Sequence, residues 1–172
     1  MICHKNEYFS VKLNNTYYEI VYPFNHSAII PVFENFSFLI VKAKRKILKK
    51  NLWEFPSGNP LSKNENLKKC ARRELFEETG IYIKNLKRFK SLGKLLPMPA
   101  RSKNYVESFY VRITEDEYKF RKKHDNEIFQ IKKISYSSLI KLIKKNNFYV
   151  STHVAAFFMV LLKNFQSVIG GR

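Results

Sequence analysis

The stretch SKNENLKKCARRELFEETGI, residues 62–81, decides how the rest of the chain is read. Its apolar residues Leu67, Cys70, Ala71 and Leu75 recur at the three- and four-residue steps of a helix face, and Gly80 stands where such a helix stops. The spacing predicts a helix over residues 63–79. Ser62 and Glu65 have the spacing of a capping box, which would open it. At about 100° per residue, Glu74, Glu77 and Glu78 fall on one face within about one turn. Near a helix C-terminus the macrodipole disfavours negative charge, and the Glu74/Glu78 pair at i, i+4 adds repulsion of roughly a few tenths of a kcal/mol. Stability alone would not select this arrangement. Arg73 can pair with Glu77, but Glu74 has Cys70 and Glu78 as its i±4 neighbours and Glu78 has Glu74 and Tyr82, so neither finds a cation on its own helix. The apolar start of the same face puts these carboxylates at the edge of a core, where oxygen ligands on one side suit Mg²⁺ or Mn²⁺.

Working outward, residues 9–13 and 17–22 alternate and are β-rich around Asn14 and Asn15, which reads as an N-terminal hairpin. Residues 27–33 and 36–42 are dense in Ile, Val and Phe and read as buried strands of a central sheet. Residues 53–60, with Pro56, Gly58 and Pro60, read as a loop entering the helix. Downstream, residues 81–92, 106–113 and 128–134 read as strands, residues 94–103 as a Pro-rich basic loop and residues 115–127 as irregular. An amphipathic helix over 136–146 and a mostly apolar one over 151–163 close the chain. Interleaved strands and helices imply an α/β or α+β class with a mixed central sheet in one domain, residues 1–22 forming the hairpin and 23–172 the core.

Composition limits the function classes. The 172 residues are 45% hydrophobic and contain 5 Gly and 6 Pro, which argues for a folded domain rather than a disordered or repeat chain. The longest apolar run, residues 154–162, is far short of the roughly 20 residues that cross a bilayer, and residues 1–10 lack a signal-peptide core. Cys3 and Cys70 cannot build a disulfide framework or a zinc cluster, so a cytoplasmic location without a membrane partner is expected. The 32 Lys and Arg against 14 Asp and Glu give a net charge of +18. That excess fits solvated lysines of a Lys-, Asn- and Ile-rich composition or a nucleic-acid surface, with RNA as the second-ranked partner.

Gly58, Glu65 and RELFEETGI (residues 73–81) together resemble the Nudix box: Gly, five residues, Glu, seven residues, Arg-Glu-U-x-Glu-Glu-x-Gly-U, with U aliphatic. One residue is inserted, six rather than five between Gly58 and Glu65. The resemblance implies an α/β/α sandwich and a Mg²⁺-dependent hydrolase of nucleoside diphosphates linked to another moiety. It makes Glu74 and Glu78 metal ligands, Glu77 a ligand or near-ligand with a catalytic part, and Arg73 and Glu65 a pair that orients the carboxylates. Glu65 is equally well explained as the return arm of the capping box with Ser62. The carbonyl of Ser57 occupies the place of an additional metal ligand.

WEFPSG, residues 53–58, resembles the segment leading into the box in ADP-ribose and nucleotide-sugar pyrophosphatases, and Pro97, sixteen residues after Ile81, matches a marker of that group, although Pro99 is close by. Those enzymes split ADP-ribose or a similar sugar nucleotide into a nucleoside monophosphate and a sugar phosphate, often as homodimers. The same resemblance places the general base in a loop before a late strand, where this chain has Glu127. The other acids there are Glu115, Asp116, Glu117 and Asp125. Arg45 and Arg101 could clamp a diphosphate, and Trp53, next to Glu54, could stack on a base, although aromatics at such positions more often belong to a core. His4, His26, His124 and His153 show no ligand spacing and receive no role. An RNA 5′-end hydrolase is the first rival function, on the strength of the charge, and a non-catalytic ligand-sensing module the second.

Overall fold

In the computed structural model, which describes residues 1–169 and their side chains up to Lys163, the sheet is built around β4 (His26–Val32), β5 (Ser37–Arg45) and β9 (Val106–Arg112). The strand order is β10-β5-β4-β9-β8, with β8 at Lys90–Leu95 and β10 at Ile128–Ser135. β4 and β9 run parallel while the other pairs are antiparallel, so the sheet is mixed as expected. β4 and β5 meet at Val32 and Phe38 and then part. The far half of β5 pairs with β6 (Lys50–Glu54), and the near half of β4 pairs with the two residues of β7 (Ser57–Gly58). The segment read as a loop over 53–60 is therefore partly strand. Its prolines are accommodated because Pro56 and Pro60 lie outside the two ladders.

Alternation along β4 and β5 sorts the core onto two faces. Ile29, Phe33 and Leu39 pack with Ala71 and Leu75 of α1 (Leu67–Thr79), while Ile30, Phe38 and Ile40 pack with Phe157 and Val160 of α4 (Ser151–Ile169) and Leu139 of α3 (Tyr136–Lys144). This is the α/β/α sandwich. Three boundaries differ from the sequence reading. α1 starts at Leu67, because the Asn66 side chain accepts from the Lys69 amide at 2.9 Å and supplies the N-cap. Residues 81–89 carry no ladder; Ile81 and Ile83 are buried beside α1, Asn85 caps a 3-10 turn at Leu86–Arg88, and the strand begins only at Lys90. The polar stretch after β9 opens with a short helix, α2 (Glu115–Lys119), held by a capping box between Thr114 and Glu117.

At the N-terminus, β1 (Ile2–Lys5) joins β2 (Ser10–Asn14) and β3 (Tyr17–Val21) in a three-stranded sheet rather than a simple hairpin. All four residues of β1 are exposed, so no apolar period announced it. Asn104 fastens this sheet to the core by accepting from the Tyr22 amide at 3.1 Å and donating to the Phe24 carbonyl at 3.0 Å. No helix among the described residues is long and apolar enough to cross a membrane.

Candidate active site

Glu74 and Glu78 project from the last turns of α1 toward β7, where it pairs with Ser27 and Ala28 of β4. Gly58 of β7 lies directly against Glu74: a Cβ there would stand 2.0 Å from Glu74 Oε1, so only glycine allows the strand and the carboxylate to approach. The inserted residue between Gly58 and Glu65 is absorbed in the loop, leaving this contact intact. Beside it, the Ser57 amide donates to Glu78 Oε2 at 3.1 Å. The helix ends at Gly80 with φ 74°, and its Cα faces the Lys122 carbonyl so closely that a Cβ would meet that oxygen at 1.9 Å. This approach brings the loop 122–127 over the end of α1. Lys122 donates its amide to Gly80 O at 2.9 Å and Asp125 to Glu77 O at 2.8 Å.

Arg73 is the hub of the cluster. Its guanidinium donates to Glu65 Oε1 at 3.2 Å, Glu74 Oε1 at 2.8 Å, Glu77 Oε2 at 2.6 Å and the carbonyl of Asn59 at 2.6 Å. Burial works against this charge, but the surrounding carboxylates outweigh it and keep the group firmly protonated. Glu65 also accepts from the Leu61 amide at 2.8 Å. Of its two readings, the Arg73 partnership is the one present, and the capping box with Ser62 is not formed because Asn66 holds that position. Arg73 thus holds three of the carboxylates in fixed positions. Glu77, with its side chain 42% exposed, is turned onto Arg73.

Burial pushes the Glu74 carboxyl up to about 7 despite Arg73, and burial together with repulsion from Glu74 pushes Glu78 up to about 9. Two desolvated carboxylates therefore share a site without enough positive charge to ionise both. Among the described residues no three His, Cys, Asp or Glu side chains already converge as a metal cage. The donor chemistry nonetheless fits a hard divalent cation: paired carboxylate oxygens, a glycine cradle that brings backbone alongside them, and an unmet demand for positive charge.

Arg45 and Glu54 form the opposite wall. Arg45 Nε donates to Glu54 Oε1 at 2.8 Å, its second nitrogen contacts Oε2, and Glu54 is only 3% exposed. The fork-to-fork pair raises the Arg45 pKa, with smaller contributions from Glu78 and Glu127. Glu127 arrives there because Lys44 of β5 donates its amide to the Glu127 carbonyl at 3.4 Å, just before β10 begins. Asp125 Oδ1 accepts from the Glu127 amide at 3.0 Å, and its charge adds to the burden on Glu78. Glu117 is occupied elsewhere: Arg88 binds it at 2.5 and 2.8 Å and holds its pKa below the usual carboxylate range.

A cleft of about 440 Å³ adjoins the cluster between the N-terminal sheet and the core. Tyr8, Tyr22, Phe24, Met98 and Tyr105 give it apolar walls, and Pro97 lies on its rim. Asn59, whose carbonyl binds Arg73, also lines the cleft and bonds His26 through Nδ1 at 3.0 Å, linking cleft to carboxylates. Deeper, the Phe55 amide donates to Nδ1 of the buried His153 at 3.2 Å; burial pushes that imidazole down to about 3, so it stays neutral and holds the backbone that leads to Ser57. His26 and His153 therefore have roles the sequence reading did not give them. Isolated histidines carry no spacing signal, and the tyrosines of the cleft come from three distant segments.

Two of the residues expected to bind substrate lie outside the lining of this cleft. Trp53 lies beside Lys42 and packs with the α3 and α4 core, between the ammonium groups of Lys42 and Lys132 at 5.4 and 6.0 Å, because alternation along β6 sends Glu54 to the α1 face and its neighbour to the other. Arg101 belongs to a separate hollow beside Tyr17, Tyr18 and Glu19; its carbonyl accepts from the Ile20 amide at 2.7 Å and its guanidinium donates to the Ala100 carbonyl at 3.3 Å.

Comparison with known proteins agrees with this architecture. The NUDIX domain family matches residues 23–154. The 8-oxo-dGTP diphosphatase of Buchnera aphidicola subsp. Acyrthosiphon pisum (strain APS) is 41% identical over 49 residues, 28% of this chain and 39% of that protein. The protein of the same name from Buchnera aphidicola subsp. Schizaphis graminum (strain Sg) is 42% identical over 53 residues, 31% and 40% of the two chains. The chain thus spans about two fifths of the length of these curated relatives. A solved structure described as an ADP compounds hydrolase superposes with a TM-score of 0.67 over 99% of this chain and 92% of that one; at 16% identity the likeness is one of fold. With residues 65–81 of the box intact and the family model matched from residue 23 to 154, the chain belongs to the NUDIX domain family.

Proposed function

We propose that the protein hydrolyses the pyrophosphate bond of ADP-ribose or a similar nucleoside diphosphate sugar, giving a nucleoside monophosphate and a sugar phosphate. The observation that carries this reading is the junction of two features at Asn59: the desolvated carboxylates of Glu74 and Glu78 on one side, and a tyrosine-rich cleft on the other. A planar base and ribose fit the aromatic walls, which leaves the diphosphate over Gly58. Glu74, Glu78 and the Ser57 carbonyl would hold Mg²⁺ or Mn²⁺, since an extended residue presents its carbonyl on the side of its amide, here toward α1. A bound cation would polarise the diphosphate and acidify the attacking water. Arg73 keeps the carboxylates apart and aimed, with Glu77 held as a reserve carboxylate. Arg45, fixed by Glu54, places a cation beside the developing charge, and Glu127 takes the proton of the attacking water.

An RNA 5′-end activity is favoured by the +18 charge alone. The partial relatives act, by their names, on 8-oxo-dGTP. Product analysis separates these readings. With Mg²⁺, ADP-ribose is expected to yield AMP and ribose 5-phosphate, and chelation to stop the reaction; intact ADP-ribose after prolonged incubation with metal would reject the proposal.

A further inference from the structure

We infer that the hairpin joining β5 and β6 is a docking device for an anionic lipid bilayer, a property beyond the hydrolytic reading. The two strands pair from Val41 with Glu54 out to Arg45 with Lys50, and the turn closes through the Lys49 amide donating to the Lys46 carbonyl at 3.1 Å. Lys49 adopts φ 51°, which completes a tight reversal and leaves Ile47 and Leu48 as the central residues of the turn. Ile47 is 98% exposed and Leu48 53%. No larger apolar exposure than that of Ile47 occurs among the described residues.

Lys44, Arg45, Lys46, Lys49 and Lys50 flank this apex without an intervening acid. Arg45 is committed to Glu54, but none of the four lysines forms an ion pair with a carboxylate among the described residues. They surround a hollow of about 390 Å³ on the hairpin.

The combination identifies the partner's chemistry. A merely solvated lysine turn would have no use for two aliphatic residues at its tip. A nucleic acid would engage the ammonium groups through its phosphates, but its bases stack on aromatic rings, which the apex lacks, and Ile47 would remain in water. An anionic bilayer satisfies both features: the ammonium groups reach lipid phosphates while their stems and the aliphatic pair enter the acyl boundary. Two signals of this kind give reversible surface attachment. The expectation of no membrane partner rested on the lack of a spanning segment, and attachment needs none.

The test is co-flotation of the full chain with vesicles of phosphatidylglycerol and phosphatidylcholine, against phosphatidylcholine alone. Wild type is expected to float with the anionic vesicles only. Ile47→Ser/Leu48→Ser and Lys46→Glu/Lys49→Glu should each lose about tenfold or more in partitioning. Both pairs are surface positions, so an unchanged Tm confirms that the variants are folded, and ADP-ribose turnover in free solution should be unchanged in the apex variant. Equal flotation of wild type on both vesicles, or full binding by the folded apex variant, would overturn the inference. So would single-stranded RNA binding that survives Ile47→Ser/Leu48→Ser and is lost in Lys46→Glu/Lys49→Glu while vesicle binding is absent. If the protein docks but leaves ADP-ribose intact, the hydrolytic reading fails and the docking stands.

Discussion

Glu78 is the residue on which the most depends, because burial and Glu74 both oppose its charge while the Ser57 amide reaches for it. Replacing it by Gln removes one proposed cation ligand and keeps the shape. Glu78→Gln should therefore lower hydrolysis by about a hundredfold or more at saturating Mg²⁺ while Tm holds or rises. Near-normal turnover in a steady-state assay would place the metal elsewhere. The base is tested by comparison among the acids between β9 and β10. Glu127→Gln is expected to reduce kcat by about 10² to 10⁴ with little change in KM, whereas Glu117→Gln, which breaks the bond to Arg88, should leave kcat near normal and cost stability. Asp125→Asn is the informative neighbour: its backbone is tied to Glu77 and its charge is felt by Glu78, so a larger kcat loss there than in Glu127→Gln would move the base two residues upstream. For Trp53 a core position was already the commoner reading of such an aromatic, but a one-residue step along a strand changes the face, and only the pairing of β6 with β5 shows which face it takes.

At the scale of elements, α1 was legible in its face and its end but not in its start. The apolar steps from Leu67 to Leu75 and the stop at Gly80 are local signals, whereas Ser62 and Glu65 imitate a cap whose glutamate is drawn away to Arg73. The strand expected over residues 81–92 failed for a related reason: Ile81 and Ile83 are buried against α1, which needs apolar side chains but no ladder. The ionisation of α1 yields a pH prediction. Glu74 and Glu78 lose their protons near 4.5 when unfolded but near 7 and 9 when folded, so above pH 4.5 the folded chain binds more protons and stability falls as pH rises. His153 works in the opposite sense, but only below about 6.5, where the unfolded imidazole gains its proton. Between pH 7 and 9 the carboxylates dominate, joined toward pH 9 by the buried Cys70 thiol, which burial pushes up to about 12 and which acts in the same sense. Metal-free protein should thus lose roughly 3 to 6 °C in Tm across that interval, with Mg²⁺ restoring most of it and Glu78→Gln flattening the slope. Calorimetry at fixed ionic strength checks this; a Tm that climbs from pH 7 to 9 without metal would mean that the pair is not short of positive charge.

At the scale of the molecule, the mixed sheet opens between β4 and β5, β6 and β7 fill the opening, and α1 and the loop 122–127 close over it. The connections flanking the N-terminal strands supply the far wall of the cleft through Tyr8 and Tyr22, and Tyr22 is tied to Asn104 eighty-two residues away, a contact invisible to local pattern. The charge of +18 remains spread over the surface, and the cleft itself is walled mainly by rings. Substrate choice should follow the cleft rather than the charge. The direct test is kcat/KM, with Mg²⁺ and at matched ionic strength, for ADP-ribose, 8-oxo-dGTP and a 5′-triphosphate RNA. ADP-ribose is predicted to have the highest value, at least about tenfold above the other two, with cleavage between its two phosphates. A higher value for 8-oxo-dGTP or for the RNA, or cleavage of ADP-ribose at any other bond, would contradict the assignment of the cleft and carboxylates to a nucleoside diphosphate sugar.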